Sequence, residues 1–184
     1  VGDVNEGPSD IALSNASVDE NAAGATVGTL STTDVDAGDS HTYAVDDARF
    51  EVVGGELKLK DGVSLNHEAA DSVDVQVTTT DASGATFSET FSISVGDVNE
   101  GPSDIALSNS SVDENAAGAT VGTLSTTDVD ARDTHTYAVD DARFEVVGGE
   151  LKLKDGVSLN HEAADSVDVQ VTTTDASGAT FSET

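Results

Sequence analysis

The chain has 184 residues, 36% hydrophobic and 4% aromatic, with 7 Lys and Arg against 36 Asp and Glu for a formal net charge of −29. That balance excludes a nucleic-acid partner, which needs a basic face to neutralise phosphates, and it works against docking on an anionic membrane surface. Cys, Met and Trp are absent, which excludes a disulfide scaffold, an iron–sulfur site, a cysteine zinc site and a cysteine nucleophile. No apolar run approaches the ~20 residues of a membrane-spanning helix. Val1 stands where an initiator Met would, and no leader pattern follows it. Both are expected of an internal piece of a longer chain.

The sequence repeats with an offset of 94. Residues 95–184 laid on 1–90 differ at three positions, Ala16/Ser110, Gly38/Arg132 and Ser40/Thr134. A period this long exceeds a solenoid unit of about 20–50 residues and fits one complete small domain per copy. The expected domains are residues 1–96, opening on an incoming linker at 1–8, and residues 97–184, opening on a linker at 97–102. That linker is polar, ends at Pro102 and is too short for a floppy tether.

Within a copy the hydrophobic period is 2, with no helical periodicity. Residues 11–13 are the first predicted strand, and residues 25–34 follow, with Val27 alternating with small and polar neighbours. Residues 42–45 and 50–53 are short strands; Gly54-Gly55 is a hairpin signal that residues 56–60 answer. Residues 73–80 alternate most cleanly, with Val73, Val75 and Val77 on one face and Asp74, Gln76 and Thr78 on the other. Residues 86–95 complete seven strands. This spacing predicts an all-β chain of two tandem seven-stranded Greek-key β-sandwiches. The second copy runs as far as Thr184, the counterpart of Thr90, so its last strand is expected to be incomplete and its domain the weaker. Val, Leu, Ile and one or two Phe per copy make a lean core.

Acidic residues and asparagines gather at predicted strand ends: Asp3, Asn5 and Glu6; Asp19 and Glu20; Asp34, Asp36 and Asp39; Asn66 and Glu68; Asp81; Asp97, Asn99 and Glu100. Successive strand ends of a sandwich meet at two poles, where clustered carboxylates repel and raise one another's pKa. A hard cation relieves that repulsion, and Ca²⁺ takes 6–8 oxygen ligands from such groups. Asp46, Asp47, Asp61, Asp71 and Asp74 fit a solvated, aggregation-resistant surface instead.

Competing chemistries lack their parts. Asp34-x-Asp36-x-Gly38-Asp39 resembles the start of an EF-hand loop, yet its twelfth position is Val45 and no helices flank it. His41, His67 and their copies stand isolated among carboxylates and read as surface residues. A glycosidase would need an aromatic sugar platform beside its carboxylate pair. No Gly-x-Ser-x-Gly elbow occurs. A catalytic role is not expected.

Five motifs follow one another in a set order: Glu20-Asn21-Ala22, Asp34-Val35-Asp36, Leu65-Asn66-His67-Glu68, Asp81 after Thr80, and Asp97-Val98-Asn99-Glu100-Gly101-Pro102. In this order and spacing the chain resembles the cadherin repeat, in the form found in large bacterial surface proteins. Asn66 and Glu100 depart from the family's Asp, and Gly101 stands where Asn is common. The resemblance implies Ca²⁺ at each junction between repeats. Carried over by motif, the middle junction takes Glu20, Asn66 and Glu68 from the first repeat. The linker adds Asp97, Asn99 and Glu100, with the carbonyls of Val98 and Gly101. The second repeat adds Asp128, Asp130 and Asp175. Asp3, Asn5, Glu6, Asp34, Asp36 and Asp81 form half a site at the amino end; Glu114, Asn160 and Glu162 form the opposite half at the carboxy end. The implied role is a Ca²⁺-rigidified stalk or adhesion segment of a secreted or cell-surface bacterial protein. Its partners are calcium and neighbouring repeats, with a surface polysaccharide or protein as target. The alternative is a Ca²⁺-dependent carbohydrate-binding or homophilic module.

Overall fold

The computed structural model describes residues 4–36 and 38–184. All regular structure among them is β, and the chain divides into two compact units, Val1–Val98 and Asn99–Thr184. In the first unit, β1 (Asp10–Leu13), β3 (Thr26–Thr33), β6 (Glu56–Leu59) and β5 (Phe50–Val53) form one sheet in the order β1-β3-β6-β5. The second sheet has the order β2-β8-β7-β4, from β2 (Ser17–Asp19), β8 (Thr86–Gly96), β7 (Ser72–Thr80) and β4 (Thr42–Val45). The inward residues of both sheets make one core: Ile11, Leu30, Phe50, Leu57 and Leu59 meet Val75, Val77, Ile93 and Val95. This is the β-sandwich that period-2 patterning predicts.

The first unit has eight strands where the patterning suggests seven. The additional β2 carries one inward residue, Val18, too little for alternation to register. It exists because β8 offers a free edge: Ser17, Val18 and Asp19 pair parallel with Ser94, Val95 and Gly96. The chain reaches that edge by passing tightly over β3. A Cβ on Gly28 would lie 2.7 Å from the Asn15 carbonyl oxygen, so only glycine fits beneath this crossing. The Asn15 side chain secures it, donating to the carbonyls of Ser17 and Val27 at 2.8 and 2.7 Å.

In the second unit, β9 (Asp104–Leu107), β10 (Thr120–Thr127), β13 (Glu150–Leu153) and β12 (Phe144–Val147) repeat the first sheet. The opposite sheet has three strands, β11 (Thr136–Val139), β14 (Val171–Thr174) and β15 (Thr180–Glu183). Residues 111–113 and 166–170, whose twins are β2 and the first half of β7, carry no strand. No helix among the described residues is long and apolar enough to cross a membrane, a statement about helices alone.

Candidate metal centres

Strand connectivity brings three of the acidic motifs of the first unit to one end of its sandwich. Asp34 follows β3, Asp81 follows β7, and the incoming segment with Asn5 and Glu6 lies beside them. Carboxylate oxygens of Asp34, Asp39 and Asp81 all lie within 4.8 Å of one another. Asp81 is 6% exposed and accepts from Asn5 Nδ2 at 2.9 Å, the Ser83 amide and hydroxyl at 2.9 Å each, and the Ala85 amide at 2.8 Å. The Asn5 amide leads these donors in holding the carboxyl down at about 2. Asp34 accepts from the Asp36 amide at 3.1 Å and bonds His41 Nε2 at 3.0 Å. Those partners lower its pKa, the backbone amide first, against desolvation and the like charge of Asp81. Asp36 in turn accepts from the Glu6 amide at 2.7 Å. Asp3 lies outside the described residues.

The second unit builds the same constellation from its own copy. Oxygens of Asp128, Asp133 and Asp175 fall within 4.8 Å of one another. Asp175 accepts from Asn99 Nδ2 at 3.0 Å, Ser177 Oγ at 2.9 Å, and the Gly178 and Ala179 amides at 2.7 and 2.8 Å. Its pKa is lowered to about 2, the Asn99 amide again leading. Asp128 pairs with His135 at 2.8 Å, and Asp130 accepts from the Glu100 amide at 2.8 Å. Gly101 lies close against this loop: a Cβ there would meet that of Ala179 at 3.2 Å.

Among the described residues one buried oxygen in each cluster has no hydrogen-bond partner, Asp39 Oδ2 in the first unit and Asp133 Oδ2 in the second. A buried carboxylate oxygen without a donor is costly, and three anions at this spacing compound the cost. The donors are all oxygens, the set that suits a hard divalent cation rather than a thiophilic one. The residues therefore fit Ca²⁺. Asp39 and Asp133 complete these clusters but were not in the ligand set carried over by motif. Their signal was available: Asp39 lies five residues beyond Asp34 among the strand-end acids.

A second cluster closes the other end of the first unit. β7 alone spans roughly 30 Å at ~3.3 Å per residue, and Asp97 leaves β8 at the end opposite Asp81. There Glu20, Glu68 and Asp97 bring oxygens within 4.8 Å. Glu20 is only 2% exposed. Its carboxylate accepts from the His67 amide at 2.8 Å and the Val98 amide at 2.9 Å, and these two bonds lower its pKa. His67 Nδ1 bonds the Val95 carbonyl at 2.8 Å, which raises the pKa of the imidazole. Asn66 is turned to a local task, its Oδ1 accepting the Ala69 amide at 2.6 Å. Val98 is 40% exposed and touches the cluster through its amide.

In the second unit the counterparts of Glu20 and Glu68 are Glu114 and Glu162, and that of Asp97 would fall past residue 184. Glu114 is exposed and accepts the His161 amide at 3.2 Å. Asn160 caps its own loop through the Glu162 amide at 2.8 Å, and Glu162 is exposed. No group of three carboxylates forms around them among the described residues.

No family model matches the chain, and no curated protein matches it. Solved structures do. Protocadherin Gamma B7 extracellular cadherin domains 1–4 align at 19% identity and TM-score 0.68, covering 98% of this chain and 49% of that one. Human protocadherin-24 EC1–2 aligns at 18% identity and TM-score 0.69, over 98% of this chain and 94% of that one. The fold is that of cadherin-like repeats. The human desmocollin-1 ectodomain aligns with these repeats at 20% identity and TM-score 0.61, over 94% of this chain and 38% of that one. The chain spans about half the length of the longer protocadherin fragments that it matches.

Proposed function

We propose that the chain is a pair of calcium-binding cadherin-like repeats that serve as a Ca²⁺-rigidified stalk or adhesion segment of a secreted or cell-surface protein. The observation that carries this reading is the buried oxygen of Asp39, repeated at Asp133, which has no partner among the described residues and lies inside a cluster of three carboxylates. Bound Ca²⁺ supplies the positive charge that these oxygens lack. Asn5, Ser83 and the Ala85 amide orient Asp81 as an anion, as Asn99, Ser177 and the Ala179 amide orient Asp175. Asp97 belongs to the first unit and Asn99 to the second. Ligation on both sides of Val98 restricts the backbone there, so the linker stiffens when the ion binds and flexes when the carboxylates are left to repel. The likeness to extracellular cadherin domains supports an adhesive role outside the cell; the repeated surface supports a stalk, and the four aromatic residues of the first repeat, Tyr43, Phe50, Phe87 and Phe91, all belong to its core or pack against it, which disfavours a sugar-stacking platform.

The test is calorimetric titration and thermal melting with Ca²⁺ against a chelator, alongside small-angle scattering. At a free Ca²⁺ concentration of about 100 Kd, stability rises by about 2.7 kcal/mol, and the spread of molecular dimensions narrows. Asp39→Asn, Asp133→Asn and Asp97→Ala each weaken Ca²⁺ binding, whereas Asp74→Ala, on the exposed face of β7, leaves it unchanged. Identical melting and scattering with and without Ca²⁺ would refute the reading.

A further inference from the structure

Along β7 the inward positions run Val73, Val75, Val77 and then Thr79; along β3 they run Leu30 and then Thr32. The last inward residue of each strand is a hydroxyl where alternation calls for another aliphatic side chain. Thr79 is fully buried. Its Oγ1 bonds Thr32 Oγ1 on the opposite sheet at 3.0 Å, and Thr32 Oγ1 also bonds the Tyr43 hydroxyl of β4 at 2.9 Å. The second repeat has the same triad: Thr126 Oγ1 bonds Thr173 Oγ1 at 2.9 Å and the Tyr137 hydroxyl at 2.8 Å, with Thr173 fully buried. A Thr buried in place of Val is unfavourable unless its hydroxyl finds a partner. Each member of the triad also stands two residues from a member of the acidic constellation. Thr32 precedes Asp34, Thr79 precedes Asp81, and Tyr43 follows His41, whose Nε2 bonds Asp34. Two residues of strand are one step along the same face, about 6.7 Å. The hydroxyls therefore form a layer beneath the carboxylates, contributed by the same three elements.

We propose that Thr32, Tyr43 and Thr79, and in the second repeat Thr126, Tyr137 and Thr173, are positioning residues for the cation cluster above them. They hold the loops of Asp34 and Asp81 together before an ion arrives. Oxygens of Asp34, Asp39 and Asp81 lie within 4.8 Å of one another, and three carboxylates at that spacing repel. Asp34 follows a strand of one sheet and Asp81 a strand of the other, so the repulsion acts to spread the sheets apart at this end. Apolar contact between the sheets is non-directional and resists sliding poorly. A hydrogen bond in the low-dielectric interior is directional and stronger than in water, and spreading the sheets would strand buried hydroxyls. The carboxylates therefore stay converged without metal, and less ordering is left for binding to impose. None of the three hydroxyls needs to touch the ion. Such supporting groups set how tightly a site holds its metal, and their substitution typically costs about 10–100-fold in affinity. The proposal takes its ligand from the calcium reading, but the positioning itself belongs to the metal-free protein and is measurable there.

The experiment alters the first repeat alone, with Thr32→Val, Tyr43→Phe and Thr79→Val combined, and keeps the second repeat as the reference within the same molecule. Removing all three hydroxyls strands no buried polar group, so stability is expected to stay close to that of the parent. In metal-free protein, NMR reads exchange of the Asp36, Ser83 and Ala85 amides, which donate to Asp34 and Asp81. It is expected to accelerate about tenfold, while Asp130, Gly178 and Ala179 exchange as before. Ca²⁺ titration followed on the same amides is expected to show about tenfold weaker binding in the first repeat and unchanged binding in the second. Tyr43→Phe alone leaves the bond between Thr32 and Thr79 in place and is expected to fall between parent and triple variant. Thr79→Ser keeps the hydroxyl and opens a small cavity; it is expected to lower stability yet retain the parent's exchange rates and Ca²⁺ affinity. A purely structural role requires the reverse. The proposal is overturned if the metal-free triple variant exchanges like the parent, if Thr79→Ser loses as much affinity as the triple variant, or if the triple variant binds Ca²⁺ as tightly as a parent that binds it. A parent that binds no Ca²⁺ refutes the calcium reading alone, and the metal-free exchange rates then decide the positioning role.

Discussion

Residues 73–80 and 167–174 have one sequence and two structures. In the first repeat all eight residues lie within β7, paired with β8 on one side and β4 on the other. In the second, only Val171–Thr174 remain a strand, ending where the pairing partner ends at Glu183. Val75 is fully buried, and Val169 is half-exposed. Local preference for extended backbone is the same in both copies; Ser72–Val75 pair with Phe91–Ser94, whose counterparts would fall at 185–188, past the 184 residues, so the difference comes from the neighbour alone. A strand is a statement about a pair, and β propensity reports how well a side chain fits a surface that another strand must supply.

The comparison can be broken most directly by amide exchange on the chain alone. Residues 73–76 are expected to exchange only through opening of the whole first repeat, on the scale of about 5–15 kcal/mol for global unfolding. Residues 167–170, with the same sequence, are expected to exchange through local fluctuations of near-zero cost. Equal protection would mean that the ladder of β8 contributes nothing. Core truncation comes next. Leu65→Ala removes a side chain that is 5% exposed and is expected to cost about 2–5 kcal/mol. In the 184-residue chain Leu159→Ala is expected to cost less than half as much, because its side chain is only half-buried; repeat-resolved exchange in denaturant reads both.

A smaller contrast separates Glu20 from Glu114. Glu20→Ala strips the acceptor from two amides, His67 and Val98, and is expected to destabilise the first repeat by about 1–3 kcal/mol. Glu114→Ala removes one long bond at an exposed site and is expected to stay within about 0.5 kcal/mol. The last prediction is of equality. The pKa of Asp81 and that of Asp175 are both lowered to about 2, each carboxylate facing an Asn side chain, a Ser hydroxyl and two backbone amides. A folded-state pKa below the unfolded value, about 3.9 for Asp, gives stability that is present above about pH 4 and lost as pH falls towards 2. Carboxyl NMR titration should find the two residues together, and Asn5→Ala and Asn99→Ala should raise each by the same amount. Different values would show that the two clusters are less alike than their geometry.

The sites were legible to different depths for a physical reason. Asp34, Asp81, Asp128 and Asp175 follow the ends of long strands, so alternation alone brings their loops to one pole, and the ordered acidic motifs identified them. Asp39 and Asp133 were visible as acids, but their membership required the path of the loop after β3. Asn66 and Asn160 matched a motif by position, yet each spends its side-chain oxygen on its own turn, a competition between local and distant partners that spacing does not reveal. Glu114 and Glu162 match the motif by position, but the group that gathers Glu20 and Glu68 is Asp97, whose counterpart would fall past residue 184.

By itself the sequence determined the all-β class, the duplication, the strands with clean alternation and the excess of carboxylate, because these depend on composition and on a period of two residues. Tertiary structure decided three things. It made β2 a strand, because a three-residue segment found an edge. It buried Glu20, because two backbone amides distant in sequence converge on one carboxylate. And it brought Asp39 and Asp133 into their clusters, because the loops after β3 and β10 return their oxygens to within 4.8 Å of Asp34 and Asp81 and of Asp128 and Asp175.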